Sequence, residues 1–189
     1  MENKKHLPLR ITNAILLAAS LALCVFAMIN NPTDTSFFGS NPLTTVCDVL
    51  NIFMLTLGLV YLLMNYSKSA AIIYKAYFVA LYIAAFLQIL LISSINGSTL
   101  FITLYLISLS AIVVLATASD LGRNKSLLLA VLPILCRLVI LIRFFMNISN
   151  YGTTLIGVLS SNVSYFVISL VTAYMVLGKY TDKKDRGTN

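Results

Sequence analysis

The 189 residues are 59% hydrophobic and only 10% charged, against about a quarter charged in a soluble domain. That balance excludes a soluble globular protein and leaves no room for an aqueous domain beside one apolar bundle. The net charge of +7 is not a nucleic-acid footprint: of the 13 Lys and Arg, all but Arg137 and Arg143 lie in or at the edge of polar segments, with no basic stripe and no nucleic-acid motif.

Residues 1–10 form a polar tail carrying Lys4, Lys5 and Arg10. The apolar run from Ile11 to about Asn30 exceeds a signal-peptide core, and Leu23 before Cys24 spoils a lipoprotein box, so this run reads as an uncleaved first span. Its Ala14, Ala18 and Ala22 recur every fourth residue, a small-residue face that admits a neighbouring helix. Ordinary alanine content explains the same pattern equally well. Residues 31–43 are turn-rich, with Pro32, Gly39 and Pro42, and Phe37-Phe38 fits an interfacial cover. Spans two to six are expected at Thr44–Met64, Ala70–Ile95, Thr99–Thr117, Ser126–Met146 and Thr154–Leu177. Residues 179–189 are a polar tail of disordered composition.

Connections between spans alternate between those with Lys or Arg and those with none. The positive-inside rule then puts both termini and the basic loops in the cytoplasm. The expected architecture is all-α: a polytopic membrane protein with one bundle of six transmembrane helices over 11–178, both termini inside, in the plasma (cytoplasmic) membrane. The tyrosines Tyr61, Tyr66, Tyr151 and Tyr180 serve as interface anchors in a chain without tryptophan. Cys24, Cys47 and Cys136 all lie in apolar runs and read as buried free thiols, with a Cys24–Cys47 disulfide as the alternative.

The informative residues are the polar ones inside spans. Arginine near a helix centre costs at least about 2.5–3.5 kcal/mol on insertion scales. Arg137 is central in span five, and Arg143 lies about 10 Å further outward. Asp48 falls at nearly the depth of Arg143, with Asn51 sharing its helix face. Gln88 and Asn162 also sit in outer halves, whereas inner halves hold hydroxyls such as Ser169 and Thr172. Ser161, Tyr165, Ser169 and Thr172 share one face of span six, which lines a path or serves helix packing. Asp48, Asn51, Gln88, Arg137, Arg143 and Asn162 are therefore the candidate lining of an outward cavity for a small solute. The competing account is structural. It has Asp48 paired with Arg143, or Arg143 snorkelling outward, and Arg137 held by Asn162, Gln88 or a carbonyl freed by Pro133.

Catalytic chemistry is missing: there is no histidine in any span, a single intramembrane carboxylate, and no phosphate-binding loop. No cofactor or metal is expected, and the chain does not read as an enzyme. In size, six-span topology, cytoplasmic termini and the alanine face of span one, the chain resembles the substrate-binding subunits of energy-coupling-factor transporters, without matching a substrate motif. The resemblance implies a partner subunit docking on Ala14, Ala18 and Ala22, with ATPases as separate chains. Two arginines against one carboxylate favour an anionic or zwitterionic ligand. The alternative function is a non-transporting scaffold, sensor or accessory subunit whose arginines are purely structural.

Overall fold

The computed structural model describes residues 7–30, 42–64, 68–91, 99–117, 121–150, 152 and 155–186. The loop carrying Phe37-Phe38, and Tyr66 and Tyr151, lie outside the described residues. Six helices follow one another: α1 Leu7–Asn30, α2 Pro42–Leu63, α3 Lys68–Leu91, α4 Thr99–Thr117, α5 Arg123–Met146 and α6 Leu155–Arg186. Every one contains a stretch long and apolar enough to cross a membrane, with mean hydropathy from 1.7 to 2.5. In hydrocarbon, no water satisfies backbone N–H and C=O groups, so such stretches form helices that close their own hydrogen bonds.

Local chemistry sets the ends. Pro8 sits in the first turn of α1 and Pro42 opens α2, positions where a missing N–H costs nothing. At the end of α5, Asn147 donates from Nδ2 to the Arg143 carbonyl at 2.9 Å, and a short 3-10 turn over Ile148–Asn150 follows. Three boundaries differ from expectation. α1 begins a turn earlier, at Leu7, and α5 begins at Arg123, so its first charged residues belong to the helix rather than the loop. α6 runs on through Gly178 to Arg186. The polar composition of the tail therefore does not end the helix, since a helix already nucleated adds residues cheaply.

Consecutive helices pack as neighbours, α1 closes the ring against α6, and α2 also touches α6 across the centre. The main core gathers Leu17 and Cys24 of α1, Met54 and Leu55 of α2, Tyr77 and Leu81 of α3, Leu109 of α4, and Val171 and Met175 of α6. Outside this core, large apolar side chains such as Ile29, Leu63, Ile72, Leu128 and Met146 are exposed. That much apolar surface suits lipid rather than water. Exposed threonines settle their hydroxyls on their own helix, as Thr56 does on the Ile52 carbonyl and Thr103 on the Thr99 carbonyl, both at 2.8 Å.

α1 buries Asn13, Leu17, Ser20, Cys24 and Ala27, a heptad-like seam. Ser20 and Cys24 meet the Ser164 hydroxyl of α6 at 3.2 and 3.1 Å. Cys24, Cys47 and Cys136 are buried and free. At Gly58, α2 lies tightly against α1 and α6: a Cβ there would stand 3.3 Å from Val171 Cγ1 and 3.4 Å from Leu17 Cδ1. Gly58→Val should therefore destabilise the protein by about 1–3 kcal/mol through overpacking. Gly178→Ala, whose nearest neighbour is 3.9 Å away, should be neutral. Thermal unfolding of the two detergent-purified variants checks both expectations.

Candidate functional site

The six candidate residues separate into two groups. Asp48, Asn51, Gln88 and Arg137 are buried, at 4, 1, 5 and 3% exposure. Arg143 and Asn162 instead line a cavity of about 300 Å³ at one end of the bundle, together with Phe101, Ile140, Phe144, Asn147 and Asn150. The two arginines are six residues apart on α5, which turns them to different faces. Arg137 shares the buried face with Pro133, Ile140 and Phe144, while Arg143 is exposed.

Arg137 is held by aromatic faces. Its guanidinium carbon lies 4.0 Å from the centroid of the Tyr105 ring and 4.7 Å from that of Tyr165, so α4 and α6 each present a π-face to the cation. Its Nη2 donates to Gln88 Oε1 at 3.5 Å, and the Tyr105 hydroxyl donates to the same oxygen at 3.3 Å. Of the expected holders, Gln88 is the one used. Asn162 spends its amide on the Val158 carbonyl of its own helix at 2.9 Å. The carbonyl freed by Pro133 is not a partner either, since Arg137 Nε and Nη1 have none.

These contacts can be weighed. An ion taken out of water loses several kcal/mol of hydration. Desolvated cation–π contacts return about 2 kcal/mol each, and a hydrogen bond as long as that to Gln88 returns little. The two buried donors without partners are where that cost is least recovered, at about 1–3 kcal/mol each. The aromatic clamp thus offsets much of the penalty and leaves the donors unsatisfied.

Asp48 does not pair with Arg143. Among the described residues it makes no ion pair, and its Oδ2, like Asn51 Oδ1, is buried without a hydrogen-bond partner. Its surroundings are Cys47 and Tyr165, and Asn51 stands beside the Tyr165 hydroxyl. Tyr165 therefore touches both charged neighbourhoods, with Arg137 on its ring face and the α2 polar pair near its hydroxyl. The stripe on α6 divides accordingly. Tyr165 belongs to the polar layer, whereas Ser169 and Thr172 bond back to the carbonyls of Tyr165 and Ile168 at 2.8 and 2.7 Å. Thr172 also meets the fully buried Tyr77 hydroxyl at 2.9 Å.

Four contributors were not among the sequence candidates: Tyr105, Tyr165, Asn147 and Asn150. The asparagines carried a usable signal, because Arg143, Asn147 and Asn150 follow one another at i, i+4 and i+7 and continue one helical face. The opposite end of the bundle is closed by Arg10, whose Nε donates to the Leu62 carbonyl, beside a cavity of about 30 Å³ lined by Tyr61, Tyr174 and Gly178. Among the described residues no three His, Cys, Asp or Glu side chains come together to hold a metal. Compared with protein-family models, curated proteins and solved structures, the chain finds no match.

Because Asp48 and Arg143 make no contact pair, Asp48→Asn and Arg143→Gln should act additively on unfolding stability, within about 0.5 kcal/mol. A double-mutant cycle measures this. Rescue of Asp48→Asn by Arg143→Gln would show that the two charges are coupled.

Proposed function

We propose that this chain is a small multi-pass membrane protein that binds a small anionic or zwitterionic solute in the 300 Å³ cavity and assists its transport. The observation that carries this reading is the composition of that cavity. Arg143 stands there with the amides of Asn147, Asn150 and Asn162 and two aromatic rings. A guanidinium engages a carboxylate or phosphate through two parallel hydrogen bonds, amides complete the polar set, and Phe101 and Phe144 offer faces to an apolar portion. The buried charge of Arg137 lies further along the same helix and adds to the positive potential at the cavity mouth.

Orientation follows from charge. The end that carries Arg10, Lys68, Arg123 and Lys125 faces the cytoplasm, with both termini, and the Arg143 cavity faces outward across the plasma membrane. Asp48, Asn51, Gln88 and Arg137 form a polar layer inward of the solute. A partner subunit docks on α1, where Ala18 and Ala22 are exposed and outside the bundle's own packing, while Ala14 is half-buried against the core. That arrangement matches the role of the first helix in energy-coupling-factor substrate-binding subunits. The same exposed face favours a second reading, a non-transporting accessory subunit whose work lies in the partner contact.

Thermal stability of the purified protein against vitamins, amino acids, nucleobases and small organic acids separates the two. A ligand at 100 times its dissociation constant adds about 2.7 kcal/mol, and Arg143→Gln should abolish that gain. No stabilisation across the panel, or stabilisation indifferent to both Arg143→Gln and Asn162→Leu, would leave the accessory-subunit reading in place.

A further inference from the structure

Arg137 presents an imbalance that the outer cavity does not resolve. A guanidinium cannot shed its proton at any accessible pH, so this side chain carries its charge into the bundle permanently. A carboxyl can be neutralised by taking up a proton, so Asp48 carries no such obligation. Among the described residues, Arg137 makes no ion pair, and its one hydrogen bond is the 3.5 Å contact to the neutral Gln88. Two of its nitrogens, Nε and Nη1, are buried donors without partners. They belong to a residue that lines a small internal cavity, of about 10 Å³, with Gln88, Tyr165 and Ser169 as the other polar walls and Met54 and Ile112 among the apolar ones. A space of that size admits a group about as large as one water molecule. Along α5, Ile140 lies between Arg137 and Arg143 and lines the outer cavity, so the two arginines serve different spaces.

We propose that the space walled by Arg137, Gln88, Tyr165 and Ser169 is a second binding site, distinct from the outer cavity, for one small monovalent anionic group. The site supplies what such a group needs: two N–H donors from a permanent cation and a largely apolar surround that strengthens the attraction. The two tyrosine rings fix the guanidinium plane, so the donors are already oriented. A halide ion and a carboxylate head share this chemistry. The site depends on Arg137 and not on the solute reading of Arg143.

The test is the thermal midpoint of the full-length purified protein at constant ionic strength, with sulfate, a dianion too large for this space, replaced stepwise by bromide or by formate. The wild type should show a saturable rise with at least one of the two. A response to bromide alone assigns the site to halide, and a response to formate alone assigns it to carboxylate. In an Arg143→Gln background, which removes the outer cavity's own anion contact, a response should persist, and adding Arg137→Gln should weaken its apparent affinity by about tenfold or more, the scale of a charged hydrogen bond. Equal midpoints in all three salts, or a response lost in Arg143→Gln and kept in Arg137→Gln, would overturn the proposal. If Arg137→Gln does not fold, bromide-soaked crystals of the wild type replace it. An anomalous peak within hydrogen-bonding distance of Arg137 Nε or Nη1 supports the site, and its absence there contradicts it. A failed solute panel with a positive bromide response would count against the outer cavity and leave this site standing.

Discussion

A permanently charged guanidinium fixed in the middle of an apolar helix constrains everything around it. Arg137 is 3% exposed on a helix that lipid or other helices must surround, so it needs electron-rich neighbours from several directions at once. Three other helices supply them: α3 with Gln88, α4 with Tyr105 and α6 with Tyr165. Each of these groups reaches Arg137 only if the helices keep their register. The cation therefore acts as a pin for α3, α4, α5 and α6, whereas α1 and α2 are fixed by close packing at Gly58, Ser20 and Cys24. Core packing alone, between apolar faces in an apolar solvent, would specify that register weakly.

The two ends of the bundle differ in chemistry as well as in charge. At one end Arg10 is tied to a backbone carbonyl at the close of α2, and hydroxyls inward of the polar layer, such as Thr172 and Ser169, satisfy themselves on their own helix. At the other end an arginine and three amides surround open space. Hydroxyls that bond back to the i−4 carbonyl need no external partner. Asn147 and Asn162 also place one N–H on an i−4 carbonyl, but a primary amide keeps a second N–H and its oxygen, so with the guanidinium they still present directed donors and acceptors to the cavity. This asymmetry connects the fold to the proposed function, because a solute entering from the amide-lined side meets directed donors before it meets any apolar barrier.

Much of this was legible in the sequence. Alternating basic and uncharged loops, with runs of about twenty apolar residues, gave the six helices nearly to the residue at α4. The same reading singled out Arg137, and it named Gln88 among three holders. What depth along a helix cannot give is azimuth. Asp48 and Arg143 match in depth yet belong to different neighbourhoods, so the ion pair read from depth alone does not form. Tyr105 escapes the sequence because a tyrosine in an apolar span reads as bulk or anchor until a cation is placed over its face, and Tyr165, on the polar stripe of span six, reads there as path lining or helix packing and not as a partner of the arginine. Asn147 and Asn150 were read as loop because the helix ends at Met146, although the 3-10 turn that follows keeps their side chains on the side of Arg143. The polar tail after Leu177 misled in the opposite sense: it looked unstructured by composition and continues α6 to Arg186.

The central claim of the proposed function is that the end of the bundle bearing the Arg143 cavity faces away from the cytoplasm. Cysteine accessibility in intact cells tests it most directly, because Cys24, Cys47 and Cys136 are buried and should stay silent. With a membrane-impermeant maleimide, Asn150→Cys should label from outside without permeabilisation, and Lys125→Cys only after the membrane is opened. Labelling of Lys125→Cys in intact cells, with Asn150→Cys protected until permeabilisation, would invert the topology and contradict the account.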